Sequence, residues 1–239
     1  MSAASVIKEL KTLAKPQRVE ALQRFYKTSP GEYGEGDLFL GISVPVTRSV
    51  AAEHKDLLLS EIEKLLGSPF HEVRLCALII LVNQYKKLKN RSDKKKSFEL
   101  YLRQLKLGSI NNWDLIDVSA PTIGDYLMDH ELSQKTLIKL AKSKSLWERR
   151  ASILFTFAFI RSGEFDQTIF ISRLLLSDEH DLIHKATGWM LREVGKREPK
   201  LLRGFLKEHA QEMPRTMLRY AIEKLPENER KKWLINSKN

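Results

Sequence analysis

Cysteine is nearly absent: Cys76 stands alone in 239 residues. One thiol closes no internal disulfide, which points to a reducing compartment, and its surroundings, LCALIILV, read as core rather than as a nucleophile's site. No apolar run approaches the ~20 residues that span a bilayer. The first residues, MSAASVIKELKTLAK, lack the uninterrupted apolar stretch of a signal peptide, so a soluble, cytoplasmic protein is expected. Glycine (11) and proline (8) are scarce and fall between periodic runs, and no segment sustains a period of two. Acid is in deficit, with 30 Asp+Glu against 41 Lys+Arg, so the net charge is 41 − 30 = +11. Metal and nucleotide signatures are missing too. Of the six histidines (His54, His71, His130, His180, His184, His209), only His180 and His184 stand one helical turn apart, without the Cys or carboxylate signature of a zinc site beside them. GEYGEGD lacks the Lys-Ser/Thr ending of a phosphate loop. Neither a metal nor a cofactor is expected.

What is present is helix after helix. Periodicity predicts helices over Ala3–Ala14, Pro16–Lys27, Pro45–His54, Leu57–Leu66, His71–Tyr85 and Ser97–Leu107. Beyond the Asn111–Leu127 stretch they continue over Ser133–Lys142, Leu146–Arg161, Phe165–Leu176, Asp181–Lys196, Pro199–His209 and Pro214–Leu225. One long irregular stretch, Thr28–Val44, holds four glycines and reads as turns packed down by Tyr33 and Phe39. Lys86–Lys96 carries seven basic residues and reads either as a solvated inter-helix loop or as a phosphate contact. Aligning Arg74, Asp114, Arg150, Lys185 and Arg215 gives gaps of 40, 36, 35 and 30. Helix pairs recurring at ~40 residues mark HEAT-like arrays. The expected fold is all-α: a single domain over 1–239, about six helix pairs, forming a curved HEAT-like solenoid with a basic concave groove.

Within this frame, NNWDLIDVSAPTIGDYL (Asn111–Leu127) is the unusual stretch. Trp113 and Asp117 lie one turn apart on one helix face, with small residues Ala120 and Gly124 expected on that face, where another body could approach the backbone closely, and Leu115, Val118 and Thr122 opposite, towards a core. Taken alone, the pair reads first as a packed indole with a helix cap and only second as a displayed site. Along Asp181–Lys196, Lys185, Trp189, Arg192 and Lys196 share a ~60° sector at about 100° per residue. Ile183, Thr187, Met190, Leu191 and Val194 lie opposite. A basic stripe around an aromatic is either a solvated face or a surface for nucleic-acid backbones, where Lys and Arg displace counterions and aromatics stack. Arg149 and Arg150 at another helix start, and Arg74 at the equivalent repeat position, join the backbone-binding candidates. Asp166, Asp178 and Asp181 look like caps, and Trp147 and Trp233 like packing.

The segments FLGISVPVTR, NNWDLIDVSAPTIGDYL, LWERRASILF and KATGWMLRE, in this order, resemble the AlkD-type DNA alkylation repair family, HEAT-like-repeat DNA glycosylases. The resemblance runs from about Tyr26 to Leu225. It implies that Trp113, Asp117, Arg150 and Trp189 form the active site, with Arg150 on the phosphate beside the lesion. A further N-terminal aromatic corresponds to Phe25 or Tyr26. The implied partner is duplex DNA carrying alkylated purines, met by a monomer that associates with the nucleoid, with no membrane involved.

The implied chemistry suits these residues. A purine alkylated at N3 or N7 is cationic and leaves without an added proton, so the enzyme must stabilise the oxocarbenium sugar and place a water, which one carboxylate can do. The resemblance further implies that no base-binding pocket is needed. Two alternatives are a non-catalytic binder of DNA structure with the same fold and a HEAT-type protein scaffold.

Overall fold

The computed structural model describes residues 1–128 and 133–236; His130 lies outside the described residues. The chain divides into two compact units, Met1–Ser119 and Ala120–Asn239. The described residues form fourteen α-helices and no strand.

The first unit holds α1 (Ala3–Thr12), α2 (Val19–Phe25, after a 3-10 turn at Pro16–Arg18), α3 (Val44–Glu53), α4 (Leu59–Leu66), α5 (His71–Tyr85) and α6 (Arg91–Lys106). It closes within α7 (Trp113–Ile123). Helix α5 is its axis. Every side chain from Val73 to Val82 is buried, as an all-round apolar helix requires, and α1, α3, α4 and α6 pack on it. The Thr28–Ser43 segment folds around a buried carboxylate: Glu72 accepts the backbone N–H groups of Leu40 (2.9 Å), Gly41 (2.8 Å) and Ile42 (3.1 Å). Only glycine fits at 41, where φ is +82° and an added Cβ would lie 2.1 Å from the Lys15 carbonyl oxygen. Phe39 is buried as expected, while Tyr33 is only half so.

Helix α6 departs from the sequence reading. It begins at Arg91, not Ser97, because Asn90 caps it and accepts the Asp93 N–H at 2.8 Å. Half of the basic run is therefore helical. Lysine is a good helix former, and a charge run without apolar periodicity conceals a helix from pattern reading.

The second unit holds α8 (Ser133–Ala141), α9 (Leu146–Arg161), α10 (Asp166–Leu174), α11 (Asp181–Arg197), α12 (Pro199–His209), α13 (Arg215–Ala221) and α14 (Glu227–Asn236). Helix α9 packs against α8, α10, α11 and the 3-10 turn Gly124–Leu127. At that turn another body does come close to the backbone, and it is a neighbouring helix. Ala120 and Gly124 are buried, and a Cβ at Gly124 would stand 2.6 Å from the Phe155 carbonyl oxygen. Gly124 admits the α9 backbone. Helix α14 was not anticipated, since it lacks an apolar stripe. Arg203 holds it through Glu229 (2.8 and 2.9 Å), and Arg215 through the Leu234 carbonyl (2.6 Å).

Arg74, Asp114, Arg150, Lys185 and Arg215 all fall within the first five residues of α5, α7, α9, α11 and α13. The repeat register thus corresponds to alternate helix starts. No described helix is long and apolar enough to cross a membrane.

Packing of α11 on α13 rests on Gly188, where an added Cβ would meet the Met217 carbonyl oxygen at 2.4 Å and Tyr220 Cβ at 2.5 Å. Neither atom is the far end of a flexible chain. Gly188→Ala is expected to lower stability by about 1–3 kcal/mol through overpacking, despite alanine's better helix propensity. At Gly204 in α12 nothing lies within 4 Å, so Gly204→Ala should raise stability by up to ~1 kcal/mol. Urea unfolding of both variants checks the opposite signs.

Candidate functional site

Four consecutive residues open α7, and each has a distinct task. Asn111 donates Nδ2–H to Asp37 Oδ1 (2.8 Å) and accepts from Arg74 Nη2 (2.9 Å). Fully buried Asn112 accepts the Trp113 N–H at 2.9 Å. Asp114 Oδ2 accepts both the Tyr26 hydroxyl (3.1 Å) and His71 Nε2 (2.9 Å). The other ring nitrogen, His71 Nδ1, meets Asp37 Oδ2 at 3.0 Å. Both partners of this imidazole are carboxylates, which only accept, so both nitrogens carry hydrogens and the ring is an imidazolium.

Trp113 is seated by aromatics. Phe39, Tyr26 and Trp113 form a column, with Phe39–Tyr26 centroids 5.2 Å apart and Tyr26–Trp113 centroids 5.6 Å apart, both near parallel. His71 lies against Tyr26 at 4.7 Å. Phe25 meets the edge of Trp113 at 5.8 Å and 71°. Tyr26 is 7% exposed and Phe25 60%. Of the two N-terminal aromatics, Tyr26 is therefore the structural member and Phe25 the accessible one. Asp117 lies one turn beyond Trp113 and, like it, is half-buried. It stands near enough to the Tyr101 phenol to help raise that group's pKa, after the larger effect of burial. The core side of α7 is Leu115, Ile116, Ser119, Ala120 and Ile123, while Val118 and Thr122 are half-exposed beside Asp117. The helix is rotated from the expected register so that Trp113 stands at the edge of its outer face.

Charge in this cluster balances, with Asp37 and Asp114 against His71 and Arg74. Burial opposes the His71 charge, but Asp114 and Asp37 outweigh it and lift its pKa to about 9. Burial also pushes against ionised Asp37, and the His71 and Arg74 contacts hold its carboxyl below the usual range nonetheless. Burial, then Asp114, keeps the Tyr26 phenol protonated and donating.

In the second unit, Trp189 projects half-buried from α11, 6.2 Å from the Phe157 ring. Arg161 lies over that ring at 5.3 Å and donates to the Pro121 carbonyl at 2.5 Å. Ile183, Thr187, Met190, Leu191 and Val194 are buried as the periodicity required. Trp147 is buried in α9.

The cations need more correction. Arg74, a backbone-binding candidate, is 4% exposed and bonds Asp37 (2.6 Å), the Ser68 carbonyl (2.9 Å) and Asn111. Its charge neutralises the buried cluster and faces no groove. Arg150 is also 4% exposed, donating to the Leu182 carbonyl in the first turn of α11. It ties α9 to α11 instead of standing open as a phosphate clamp, since a buried guanidinium requires acceptors at hand. Arg149 is taken by Asp178 (2.6 Å) and by the Ser143 and Lys144 carbonyls (3.1 and 3.0 Å). On α11, Lys185 pairs with Asp181 (2.7 Å), Lys196 with Glu193 (2.6 Å) and Arg192 with Glu223. The stripe is real but carries its own counter-charges. Asp178 and Asp181 are thus ion-pair partners, and His180 caps α11 by accepting the Leu182 N–H at 3.1 Å. No group of three or more His, Cys, Asp or Glu among the described residues is placed to hold a metal.

The sequence reading missed Asp37 and His71 as site residues, used Asp114 only as a repeat position, and had Tyr26 only as one of two N-terminal aromatics. HEVR and NNWD hold the only local signal, a charged residue just before or after a helix start. His71 is 34 positions from Asp37 and 43 from Asp114, too far for any local pattern to join them.

Residues 6–225 match the family model described as DNA alkylation repair enzyme. A comparison with curated proteins finds no match. Among solved structures, one described as a predicted DNA alkylation repair enzyme from Enterococcus faecalis is similar at 14% identity and a TM-score of 0.68, covering 90% of this chain and 97% of that one. Another, from a family related to the HEAT-like repeat DNA glycosylases with affinity for branched DNA structures, is similar at 15% identity and a TM-score of 0.55. It covers 89% of this chain and 83% of that one. The fold is thus the all-helical, HEAT-like one.

The raised His71 pKa carries a pH signature. A folded value of about 9 against 6.5 unfolded gives stability that is complete below pH 6.5 and lost as pH rises through 9. Chemical unfolding should show a loss of about 3 kcal/mol between pH 6.5 and 9.5. In His71→Gln that slope should flatten, with lower stability at pH 6.5.

Proposed function

Because the chain belongs to the DNA alkylation repair enzyme family, we propose that it is a monofunctional DNA glycosylase. It releases cationic N3- and N7-alkylated purines, such as 3-methyladenine and 7-methylguanine, from duplex DNA. The observation that supports this most is the Trp113–Asp117 pair: an indole locked in an aromatic column by buried ionic bonds, with a half-buried carboxylate one turn away. So much fixed structure around one indole exceeds what packing a helix start needs.

In the reaction, the bond from C1′ to the purine nitrogen breaks and its electron pair enters the base, cancelling the positive charge of the alkylated ring. The deoxyribose is left as an oxocarbenium ion. Water adds at C1′ and loses a proton, giving an abasic site. Asp117 stabilises the sugar cation and orients the water. Trp113 flanks the sugar with its π face, contributing ~0.5–2 kcal/mol towards a desolvated cation. Trp189 offers a second aromatic face to nucleic acid; Lys185 and Arg192 exchange their exposed partners Asp181 and Glu223 for phosphates, and the exposed Lys196 turns from the buried Glu193 to another. Arg150 and Arg149 act by fixing the starts of α9 and α11.

A general acid is not part of this scheme. The sequence places no histidine near Trp113, yet the fold brings His71 beside Tyr26 in the same cluster. Both of its N–H groups are given to carboxylates, which leaves none to protonate a leaving base. Neutral lesions therefore keep a high barrier.

Asp117→Asn should lower single-turnover release of 7-methylguanine by ~10²–10³, with melting temperature and duplex affinity unchanged. The wild type should release neither uracil nor hypoxanthine, and borohydride should trap no covalent adduct. Full activity of Asp117→Asn, or rapid uracil release, sinks this assignment. Tight DNA binding with no base release from methylated duplex would make the protein a binder of DNA structure.

A further inference from the structure

The charge of the first unit is concentrated where α5 passes into α6. Residues 86–96 hold seven Lys and Arg against one acid, Asp93. Six of the seven cations are exposed; the other, Lys94, is half-buried with its ammonium 5.4 Å from the Tyr85 ring centroid. Asp93 is already engaged, one oxygen accepting from Asn90 Nδ2 (2.7 Å) and the other from Lys96 (2.9 Å). Lys95 reaches Glu99 only at 3.7 Å, between two well-exposed side chains, a geometry that binds weakly. Lys86, Lys87 and Lys89 meet no carboxylate among the described residues.

This differs from α11, where every cation of the stripe has a carboxylate within reach. The α5–α6 junction carries its positive charge at a cost in stability. Like charges repel across a few ångströms, and the cations of the first turns of α6 sit at the positive end of that helix's dipole. Asp93 is the one acid in the run, and it is shared between Asn90 and Lys96.

The composition of the patch selects among partners. None of the large exposed apolar residues lies in 86–96, so the surface lacks the buried centre of a protein interface. It also lacks the apolar side chains that anchor a segment in a bilayer. Closely spaced, exposed ammonium groups such as Lys86, Lys87 and Lys89 fit a polyanion with regularly spaced phosphates.

We propose that the α5–α6 junction is a second phosphate-binding surface, which takes the sugar-phosphate backbone of duplex DNA without regard to base sequence. The inference rests on the reading of the protein as one that acts on DNA. These lysines deliver affinity and steering, whereas Trp113 and Asp117 deliver chemistry.

The test is the triple variant Lys86→Ala, Lys87→Ala, Lys89→Ala, three exposed positions whose change leaves the core intact. Fluorescence anisotropy on two unmodified duplexes of different sequence, from low to moderate salt, gives the slope of log K against log[salt]. The slope should shrink by about 2–3 units, at ~0.9 per phosphate contact. Affinity should fall alike on both duplexes, and single-turnover release of 7-methylguanine at saturating protein should be unchanged. If the wild type binds duplex and the variant keeps its slope, the proposal is overturned while the proposed function stands. It is equally overturned if the variant loses only binding to vesicles of anionic phospholipid. Failure of the wild type itself to bind duplex removes the proposed function, and this surface with it.

Discussion

The imidazolium of His71, held between Asp37 and Asp114 and balanced by Arg74, is the interaction on which the rest of the first unit depends. It joins three segments: the Thr28–Ser43 loop, the start of α5 and the start of α7. None of the four charges could be buried alone. Removing one partner would strand another without compensation, at ~3–5 kcal/mol, so the members enforce one another. Once they are in place Tyr26 has an acceptor for its hydroxyl, and Trp113 has a flat surface on which to lie. The rotation of α7, and with it the direction in which Asp117 projects, follows from this junction.

Charge is handled in three ways in this molecule. Buried cations such as Arg74 and Arg150 are structural, because breaking their contacts would leave an unpaired ion in a low dielectric. Exposed pairs such as Lys185–Asp181 cost little to open, since surface salt bridges are worth ~0–1 kcal/mol. A phosphate can take over the cation at small expense. The third way is that of Lys86, Lys87 and Lys89, where no carboxylate need be displaced. Net charge alone did not distinguish these classes; burial and partner identity do.

Small residues show a similar division between appearance and use. Gly124 follows Trp113 on the same stretch and Gly188 directly precedes Trp189, and for Gly124 that placement suggested close approach of another body to the backbone. In the fold each lies against the backbone of another helix, Phe155 for one and Met217 for the other. The closeness they permit is helix against helix. For α11 that packing sets the rotation at which Trp189 projects, so Gly188 serves the tryptophan beside it through the scaffold.

The helical class, and the bounds of α5, α9 and α12, were legible in the sequence because helix formation depends on neighbours within a few residues. The same locality made the Trp113–Asp117 spacing and the buried side of α11 readable. It also hid α14, which has charge but no apolar stripe, and the first turns of α6. The fates of Arg74, Arg149, His71, Asp114 and Gly124 were decided only by the tertiary structure. Each has its partner about 30 or more positions away along the chain. A side chain's charge and shape are written in its own position, but whether that charge is free, paired or buried is set by what the fold brings beside it.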